Sequence, residues 1–179
     1  MSTILITGAA SGIGAALAAD LARAGHHVIV TDVGLAQGEA VAAGIRAAGG
    51  SAEAALLDVT SDASVDAALG GLSRPVEVLV NNAGLQHVAP LEEFAMAKWD
   101  YLVEVMLVGA ARLARAVLPA MRRAGFGRIV NIGSIHSIVA SPFKSAYVAS
   151  KHGLVGLTRA VALETAGVDI TINTICPSY

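Results

Sequence analysis

The stretch "TILITGAASGIG", residues 3–14, joins a short apolar run to a glycine-rich turn and an alanine-rich segment. The apolar run predicts a buried strand and the alanine-rich segment predicts a helix. Glycines in the turn let the backbone come close to a ligand, and the N–H groups of a helix N-terminus can bind a pyrophosphate. A glycine trio alone is weak evidence, because glycines are common in turns. The candidate cofactor contacts in this loop are Gly8, Ser11, Gly12, Ile13 and Gly14.

Short β-branched runs alternate with longer alanine-rich segments along the rest of the chain. Nearly continuous apolar runs are typical of strands covered on both faces, so we predict an α/β fold, a doubly wound parallel sheet of Rossmann type. The predicted strands are 3–7, 27–31, 52–57, 76–81, 127–133 and 169–175, and the predicted helices are 12–24, 35–48, 62–72, 97–123 and 145–166. Ser145 is the predicted N-cap of the last helix, and Gly167 is its predicted C-terminal stop.

The composition favours one folded domain spanning residues 1–179. Hydrophobic residues make up 55% of the chain and charged residues 15%, which argues against disorder. The formal net charge of −2 indicates no basic surface for nucleic acid or an anionic membrane. Cys176 is the only cysteine, so an intramolecular disulfide is impossible. Since no signal-peptide or membrane-span pattern is found, a soluble cytoplasmic protein is expected.

Polar groups follow the next strands at the same predicted edge of the sheet. Asp32 ends the second strand, where a carboxylate would accept the ribose hydroxyls of an adenosine, although it could also simply start a turn. Because a 2′-phosphate would meet this negative charge and no arginine follows, NAD is favoured over NADP. Further candidate cofactor contacts come from the "LLDVT" and "NNAG" stretches and are Asp58, Val59, Asn82, Ala83 and Gly84.

The stretch "KSAYVASKHG", residues 144–153, places Tyr147 and Lys151 one helical turn apart on the same face. This pair could be a snorkelling lysine beside a half-buried tyrosine. Ser134 follows the fifth strand and can converge with both at the crevice. A free phenol is a poor base near neutral pH, but an ammonium and a nicotinamide cation favour the phenolate. Tyr147 would then remove an alcohol proton while Ser134 binds the substrate oxygen and Lys151 also holds the nicotinamide ribose.

Taken together, "TGAASGIG", "NNAG", Ser134 and "YVASK" resemble the short-chain dehydrogenase/reductase family, in order and over essentially the whole chain. Longer stretches such as "NAGLQHVAPLEEF" and "VASPFKSAYVASKHG" are similar to the bacterial (R)-3-hydroxybutyrate dehydrogenases of that family. The resemblance implies NAD as cofactor, with Pro177 as a further contact. It also implies reversible oxidation of (R)-3-hydroxybutyrate to acetoacetate.

In that group a glutamine, a histidine and a lysine hold the substrate carboxylate, and these match Gln86, His136 and Lys144. They flank Ser134 and Tyr147, and such a cluster suits a small hydroxy or keto acid. Each also has an ordinary alternative, respectively a surface amide, a loop histidine and a solvated lysine. The remaining histidines lack the spacing of metal ligands, so no catalytic metal is expected.

The sequence departs from the family pattern at several positions. Met106 stands where the family has the asparagine of its Asn–Ser–Tyr–Lys tetrad, and Ser178 replaces the glycine that usually follows Pro177. Because the family's relay water is held by the main-chain carbonyl at the tetrad position, we expect the relay to survive at Met106. The chain also stops after the sixth strand, before the family's seventh strand and lid. The sequence therefore reads as a C-terminally incomplete NAD-binding domain, either a fragment or a natural short form.

Helices 97–123 and 145–166 are apolar around most of their circumference, so each needs two packing partners. We predict that they pack against their copies as a four-helix interface in a homotetramer. Two other functions remain open from the sequence. One is a short-chain reductase for another small carbonyl substrate, such as a 3-oxoacyl thioester, and the other is a catalytically weak NAD-binding module.

Overall fold

Strands and helices alternate along the chain in the computed structural model, which describes residues 1–178. The strands are β1 Thr3–Thr7, β2 His27–Asp32, β3 Ser51–Leu56, β4 Val78–Asn81, β5 Phe126–Ile132 and β6 Asp169–Ile175. The α-helices are α1 Gly12–Arg23, α2 Leu35–Ala47, α3 Asp62–Gly70, α4 Met96–Val103, α5 Gly109–Ala124 and α6 Ser145–Glu164. Every predicted strand is present, with its ends within two residues of the predicted ones.

The six strands form one parallel sheet in the order β3-β2-β1-β4-β5-β6, which confirms the predicted doubly wound Rossmann-type fold. The chain builds outward from β1 to β3 and then crosses to the other side of β1 to form β4. The turns after β1 and β4 therefore lead away from each other, and a crevice opens between them at the carboxyl ends of the strands.

Alternate residues of the central strands supply two separate apolar cores. Leu5, Leu79 and Ile129 face a core that includes α5, whereas Ile4 and Ile6 face one that includes α1 and α2. A strand buried on both faces needs apolar residues at consecutive positions, since neighbouring side chains point to opposite faces. This requirement explains why the strands read as uninterrupted apolar runs.

The predicted long helix over 97–123 is divided in the structure. α4 ends at Val103, a π-helical segment runs over Glu104–Val108, and α5 begins at Gly109. The N–H of Gly109 donates to the carbonyl of Glu104, five residues earlier. Insertions of this kind are found frequently at functional sites. Here the segment lies beside the crevice and carries Met106.

The last helix starts differently from the prediction. Lys144, not Ser145, is the N-cap, and no side chain caps the helix. The Ser145 hydroxyl instead accepts a hydrogen bond from the Trp99 indole at 3.1 Å, which ties α6 to α4. At the other end the helix stops at Glu164, and Gly167 adopts a φ of 89° in the turn that follows. Glycine adopts this left-handed backbone without steric cost, as the predicted stop requires.

Candidate active site

A cleft of about 600 Å³ lies at the carboxyl ends of the strands, above the crevice between β1 and β4. It brings together most of the side chains that the sequence singled out. Those lining it are Gly8, Ser11, Gly12, Ile13, Asp32, Asp58, Val59, Asn82, Ala83, Gly84, Gln86, Ser134, Tyr147, Lys151 and Pro177. Three predicted residues, Gly14, His136 and Lys144, are not among the lining residues.

Hydrogen bonds join the turn after β1 to the turn after β4. The Thr7 hydroxyl accepts the N–H groups of Asn82 and Ala83, both at 3.0 Å. In return, the Asn82 amide donates to the carbonyls of Thr7 at 2.9 Å and Gly8 at 3.1 Å. These reciprocal bonds satisfy backbone groups that the end of the sheet would otherwise leave unpaired. They also fix the floor of the cleft.

The glycines of the first turn have different physical roles. Gly8 has a φ of 63°, and a Cβ there would lie 2.9 Å from Ala83 Cα. Gly14 is buried under the turn, where a Cβ would lie 2.5 Å from the Gly8 carbonyl oxygen. Gly12 also has a positive φ, of 55°, but no atom lies within 4 Å of a Cβ built on it. Gly8 and Gly14 thus permit tight packing, whereas Gly12 leaves open space over the N-terminus of α1.

Two carboxylates lie at the end of the cleft away from α6. Asp32 accepts the N–H of Ala10 through Oδ2 and the N–H of Gly34 through Oδ1, each at 3.1 Å. Asp58 accepts the N–H and the hydroxyl of Thr60 through Oδ1, at 2.9 and 2.7 Å. Both carboxylates are therefore held at fixed positions on the rim, and each ionised oxygen keeps further acceptor capacity for a ligand.

Lys151 is almost completely buried, at 4% exposure, although it lines the cleft at the opposite end. Its Nζ donates to the Ile132 carbonyl at 2.5 Å and lies 5.5 Å from the centroid of the Tyr147 ring. Burial lowers the pKa of Lys151 to about 8, and the neighbouring Cys176 opposes this shift. At neutral pH the side chain is mostly an ammonium, because pH 7 lies below this pKa.

Ser134 caps a short 3₁₀ turn, Ile135–Ser137, directly after β5. Its hydroxyl accepts the N–H of His136 at 3.2 Å, and its own N–H donates to the Ser137 hydroxyl at 3.2 Å. This turn directs Ser134 into the cleft. The Ser134, Tyr147 and Lys151 side chains therefore line one end of the same cavity.

The three residues predicted to hold a substrate carboxylate are placed differently from one another. Gln86 is exposed and lines the cleft. His136 is buried and meets the Tyr147 ring edge-on, with centroids 6.0 Å apart. Its Nε2 shares a hydrogen bond with the Ser141 hydroxyl at 3.2 Å, and its Nδ1 has no partner among the described residues. Lys144 is half-buried at the N-cap of α6, outside the cleft lining.

Met106 packs into the core beneath the cleft. The side chain is 2% exposed, and its Sδ would lie 3.8 Å from a Cβ built on Gly84. The thioether therefore supports the turn after β4 from below and does not line the cavity.

Several lining residues were missed by sequence reasoning. They are Val33, Leu57, Leu85, Tyr101, Val105, Ile132 and Gly133. Most of them adjoin a predicted residue in the chain, so extending each motif by one position would have found them. Tyr101 and Val105 stand four residues apart at the junction of α4 and the π-helical segment, and that spacing was the available signal.

Within residues 1–178, no cluster of three or more His, Cys, Asp or Glu side chains is placed to hold a metal ion. In the same part of the chain, every helix is too short or too polar to cross a bilayer.

The family model described as "short chain dehydrogenase" matches residues 2–179 of this sequence. The chain belongs to the short-chain dehydrogenase family. The fold, the glycine turn and the Ser134, Tyr147 and Lys151 side chains at one cleft are the structural counterpart of that match. This short-chain dehydrogenase is therefore an oxidoreductase of a family that uses NAD or NADP.

Similar proteins carry related dehydrogenase names. The chain is 42% identical to D-beta-hydroxybutyrate dehydrogenases of Rhizobium meliloti and Cupriavidus necator, over 99% of its own length and 70% of theirs. Among solved structures, it superposes with a TM-score of 0.95 on a gluconate 5-dehydrogenase from Burkholderia cenocepacia J2315 in complex with NADP and tartrate. That structure is 35% identical, and the match covers 99% of this short-chain dehydrogenase and 71% of its relative.

Proposed function

We propose that this short-chain dehydrogenase catalyses the NAD-dependent, reversible oxidation of (R)-3-hydroxybutyrate to acetoacetate. The observation that carries the proposal is the placement of Ser134, Tyr147 and Lys151 at one end of a cleft whose other end holds Asp32. The name of the 42% identical relatives supports the choice of a short hydroxy acid.

The cleft fits a dinucleotide. Open space over Gly12 and the N-terminus of the twelve-residue helix α1 suit a pyrophosphate, since unpaired N–H groups there face an anion. Asp32 would hold the adenosine ribose, and Asp58 and Val59 would contact the adenine. The rest of the dinucleotide would lie along Asn82, Ala83, Gly84 and Pro177. When bound, the nicotinamide supplies the hydride acceptor.

NAD is preferred over NADP in this proposal because of the charge at Asp32. A 2′-phosphate would lie against a carboxylate that backbone N–H groups hold in place. Val33 and Gly34 follow it, and neither supplies a cation that would neutralise the phosphate. The similar gluconate 5-dehydrogenase structure contains NADP, so this preference requires a direct test.

Proton removal is assigned to Tyr147. The Lys151 ammonium, anchored on the Ile132 carbonyl, has two remaining N–H donors and places a positive charge 5.5 Å from the tyrosine ring. Tyr147 would act as the general base that accepts the alcohol proton of the substrate, with this positive charge beside it. Ser134 holds the substrate oxygen by a hydrogen bond, so that the proton and the hydride leave in a fixed geometry.

The substrate carboxylate is assigned to Gln86, His136 and Lys144. Gln86 lies in the cleft wall and can donate an N–H to a carboxylate oxygen. His136 packs against Tyr147, and Lys144 lies three residues before Tyr147, so both adjoin the residue assigned to proton removal. The buried Nδ1 of His136, which lacks a protein partner, supports a role in binding a polar ligand.

The proposed unit comprises residues 1–179 as one NAD-binding domain that assembles as a homotetramer through the α4–α5 region and α6. Exposed apolar residues on these helices support that interface, with Leu163 80% and Val108 38% exposed. A cytoplasmic location remains a prediction from the sequence.

A second candidate is oxidation or reduction of another small hydroxy or carbonyl compound. The match to a gluconate 5-dehydrogenase, with a TM-score of 0.95, favours this candidate. Proteins that share one fold act on different substrates, so the fold alone does not select (R)-3-hydroxybutyrate.

The experiment follows NADH absorbance with (R)-3-hydroxybutyrate, its S enantiomer, gluconate and other small alcohols, beside calorimetric binding of NAD. We expect turnover with the R acid and little with the S acid. Turnover only with other alcohols would select the second candidate. NAD binding with no turnover on any substrate would reduce the chain to a non-catalytic dinucleotide-binding module.

A further inference from the structure

Arg112 lies outside the cleft yet joins two of its walls. The residue is on the first turn of α5, and its side chain is 15% exposed. Its guanidinium donates in three directions, to the Val59 carbonyl at 2.7 Å, to Asp62 at 2.8 Å and to Glu104 at 2.8 Å. Arginine suits such a bridge because its donors are held in a rigid planar fork.

The Val59 carbonyl belongs to the loop at the adenine end of the cleft. This loop is already tied internally, since the Asp58 N–H donates to the Ser64 hydroxyl at 2.9 Å and its carbonyl accepts from Ser61. Val59 also rests directly on α5, because a Cβ on Gly109 would lie 2.9 Å from Val59 Cγ2. The loop therefore behaves as a small unit, and Arg112 links this unit to the neighbouring helix.

Glu104 marks the other wall. It is the first residue of the π-helical segment, and the next residue, Val105, lines the cleft. A single guanidinium thus contacts the carbonyl of one lining residue, Val59, and the side chain of Glu104, which precedes another lining residue, Val105. If the fork is lost, nothing else on this face holds the Val59 carbonyl among the hydrogen bonds of residues 1–178.

We propose that Arg112 is a positioning residue for the dinucleotide, which sets the adenine-end loop at Val59 against the π-helical segment at Glu104. The inference rests on the proposed function, because it assumes that the adenine half of NAD or NADP lies at Asp58 and Val59. Arg112 touches no reacting atom and acts through the backbone of Val59. An ordinary surface ion pair would contribute little to any binding property, whereas this fork combines burial with a bond to the loop carbonyl.

The test compares Arg112→Met, which removes every donor, with Arg112→Lys and with the control Arg23→Met. Arg23 forms an exposed pair with Asp20 on α1, far from any role in the cleft. Calorimetry measures the Kd of NAD, of ADP-ribose and of nicotinamide mononucleotide, at a temperature where circular dichroism shows each variant folded.

Arg112→Met is expected to raise the Kd of NAD and of ADP-ribose by the same factor, about tenfold or 1.4 kcal/mol. Nicotinamide mononucleotide, which lacks the adenine half, keeps its affinity. Arg112→Lys recovers part of the lost affinity for NAD and ADP-ribose. Arg23→Met leaves the Kd of every ligand unchanged. The contrast between the two ligand halves separates positioning from general loosening of the fold.

Equal weakening of ADP-ribose and nicotinamide mononucleotide, or unchanged ADP-ribose binding by Arg112→Met, would overturn the inference alone. Failure of the wild-type protein to bind NAD, NADP or ADP-ribose would overturn the proposed function and this inference with it. If Arg112→Met does not fold, Glu104→Gln serves instead, because it removes the charge of one partner and leaves the Val59 bond. It is expected to weaken ADP-ribose about twofold, and an unchanged Kd would again count against the proposal.

Discussion

Hydrogen bonds tie together the half of the cleft around Gly8 and Asn82, whereas exposed loops form the half around Gln86. In the first half, Thr7 and Asn82 exchange bonds between two turns. In the second, Val88 is 55% and Ile138 68% exposed.

The two substrate-side loops meet through one bond, from the Ala89 N–H to the Phe143 carbonyl at 2.9 Å. Phe143 itself has a φ of 65°, a backbone conformation that costs a residue with a side chain about 1–2 kcal/mol. A strained, exposed loop can change its conformation more readily than a turn held by several hydrogen bonds. The dinucleotide half is therefore preformed, and the substrate half is adaptable.

The largest expected effect on stability concerns Lys151, which stands at the junction of the two halves. The folded protein releases the Lys151 proton at a pKa of about 8, while the unfolded chain holds it up to about 10.5. Between these values the unfolded state binds more protons, so stability rises with pH. Below pH 8 the folded state carries the full cost of a buried ammonium.

Relative to Lys151→Met, which has no proton to lose, the wild-type protein should gain about 2–3 kcal/mol of unfolding free energy between pH 7 and pH 10. Urea denaturation of both proteins at the two pH values measures this change, and titration of the groups that do not interact with Lys151 cancels in the difference. A constant difference would mean that Lys151 is not desolvated in the folded state.

The next effect on stability tests the hydrogen-bonded half of the cleft around Gly8 and Asn82. Gly14→Ala places a Cβ 2.5 Å from the Gly8 carbonyl oxygen and 2.6 Å from the Asn82 amide, which the Thr7 and Gly8 carbonyls hold in place. We expect a loss of about 1–3 kcal/mol of stability and weaker NAD binding, because overpacking forces the backbone to shift.

Gly44→Ala is the matched control for Gly14→Ala. Gly44 lies inside α2, and nothing lies within 4 Å of the added methyl group. The Gly44→Ala variant should therefore gain up to about 1 kcal/mol of unfolding free energy. Thermal unfolding ranks the variants. Stabilisation by both would show that the turn adapts and is not preformed.

A smaller effect concerns the choice of cofactor. Asp32→Asn removes the negative charge and keeps one oxygen, which can accept only one of the backbone N–H groups of Ala10 and Gly34. We therefore expect some loss of stability, and both Kd values are measured where the variant is folded. We expect the ratio of the Kd values for NADP and NAD to fall about tenfold, equivalent to about 1.4 kcal/mol, because the 2′-phosphate no longer meets a carboxylate. Asp20→Asn on α1 is the control. An equal change of the Kd ratio in both variants would mean that Asp32 does not determine the choice of cofactor.

The smallest effect tests the adaptable half. Gln86→Ala removes one neutral donor from the cleft wall, which corresponds to about 1 kcal/mol or about a fivefold higher KM for the hydroxy acid. The Kd of NAD should stay the same, since Gln86 belongs to the substrate side. If the Kd of NAD changes more than the KM, the division of the cleft into two halves is wrong.

Much of the dinucleotide half could be predicted from the sequence, because its residues follow strands within short motifs. Gly8, Asp32 and Asn82 lie at strand ends, and parallel strands bring their carboxyl ends to one edge. The conformations that the turn requires of its backbone also depend on neighbouring residues, so the glycine pattern predicts the shape of the turn.

The remaining features depend on contacts distant in sequence. The π-helical insertion at Glu104–Val108 interrupts a stretch that reads as one continuous helix, and the contact of Gly109 with Val59 lies between residues far apart in the chain. His136 was expected in the cleft because it lies two residues from Ser134. The turn that Ser134 caps directs Ser134 inward and His136 behind Tyr147, and chain proximity carries no such directional information.

The proposed function depends on Tyr147, which would transfer the substrate proton while Ser134 and Lys151 hold the reactants. The most direct measurement is the rate of NADH formation in a single turnover by the wild-type protein and by Tyr147→Phe, with the Kd of NAD measured for both. We predict that Tyr147→Phe lowers the rate by about a thousandfold, within the range for a positioned general base, and leaves the Kd of NAD within about twofold. A Tyr147→Phe protein that forms NADH at the wild-type rate would contradict the account.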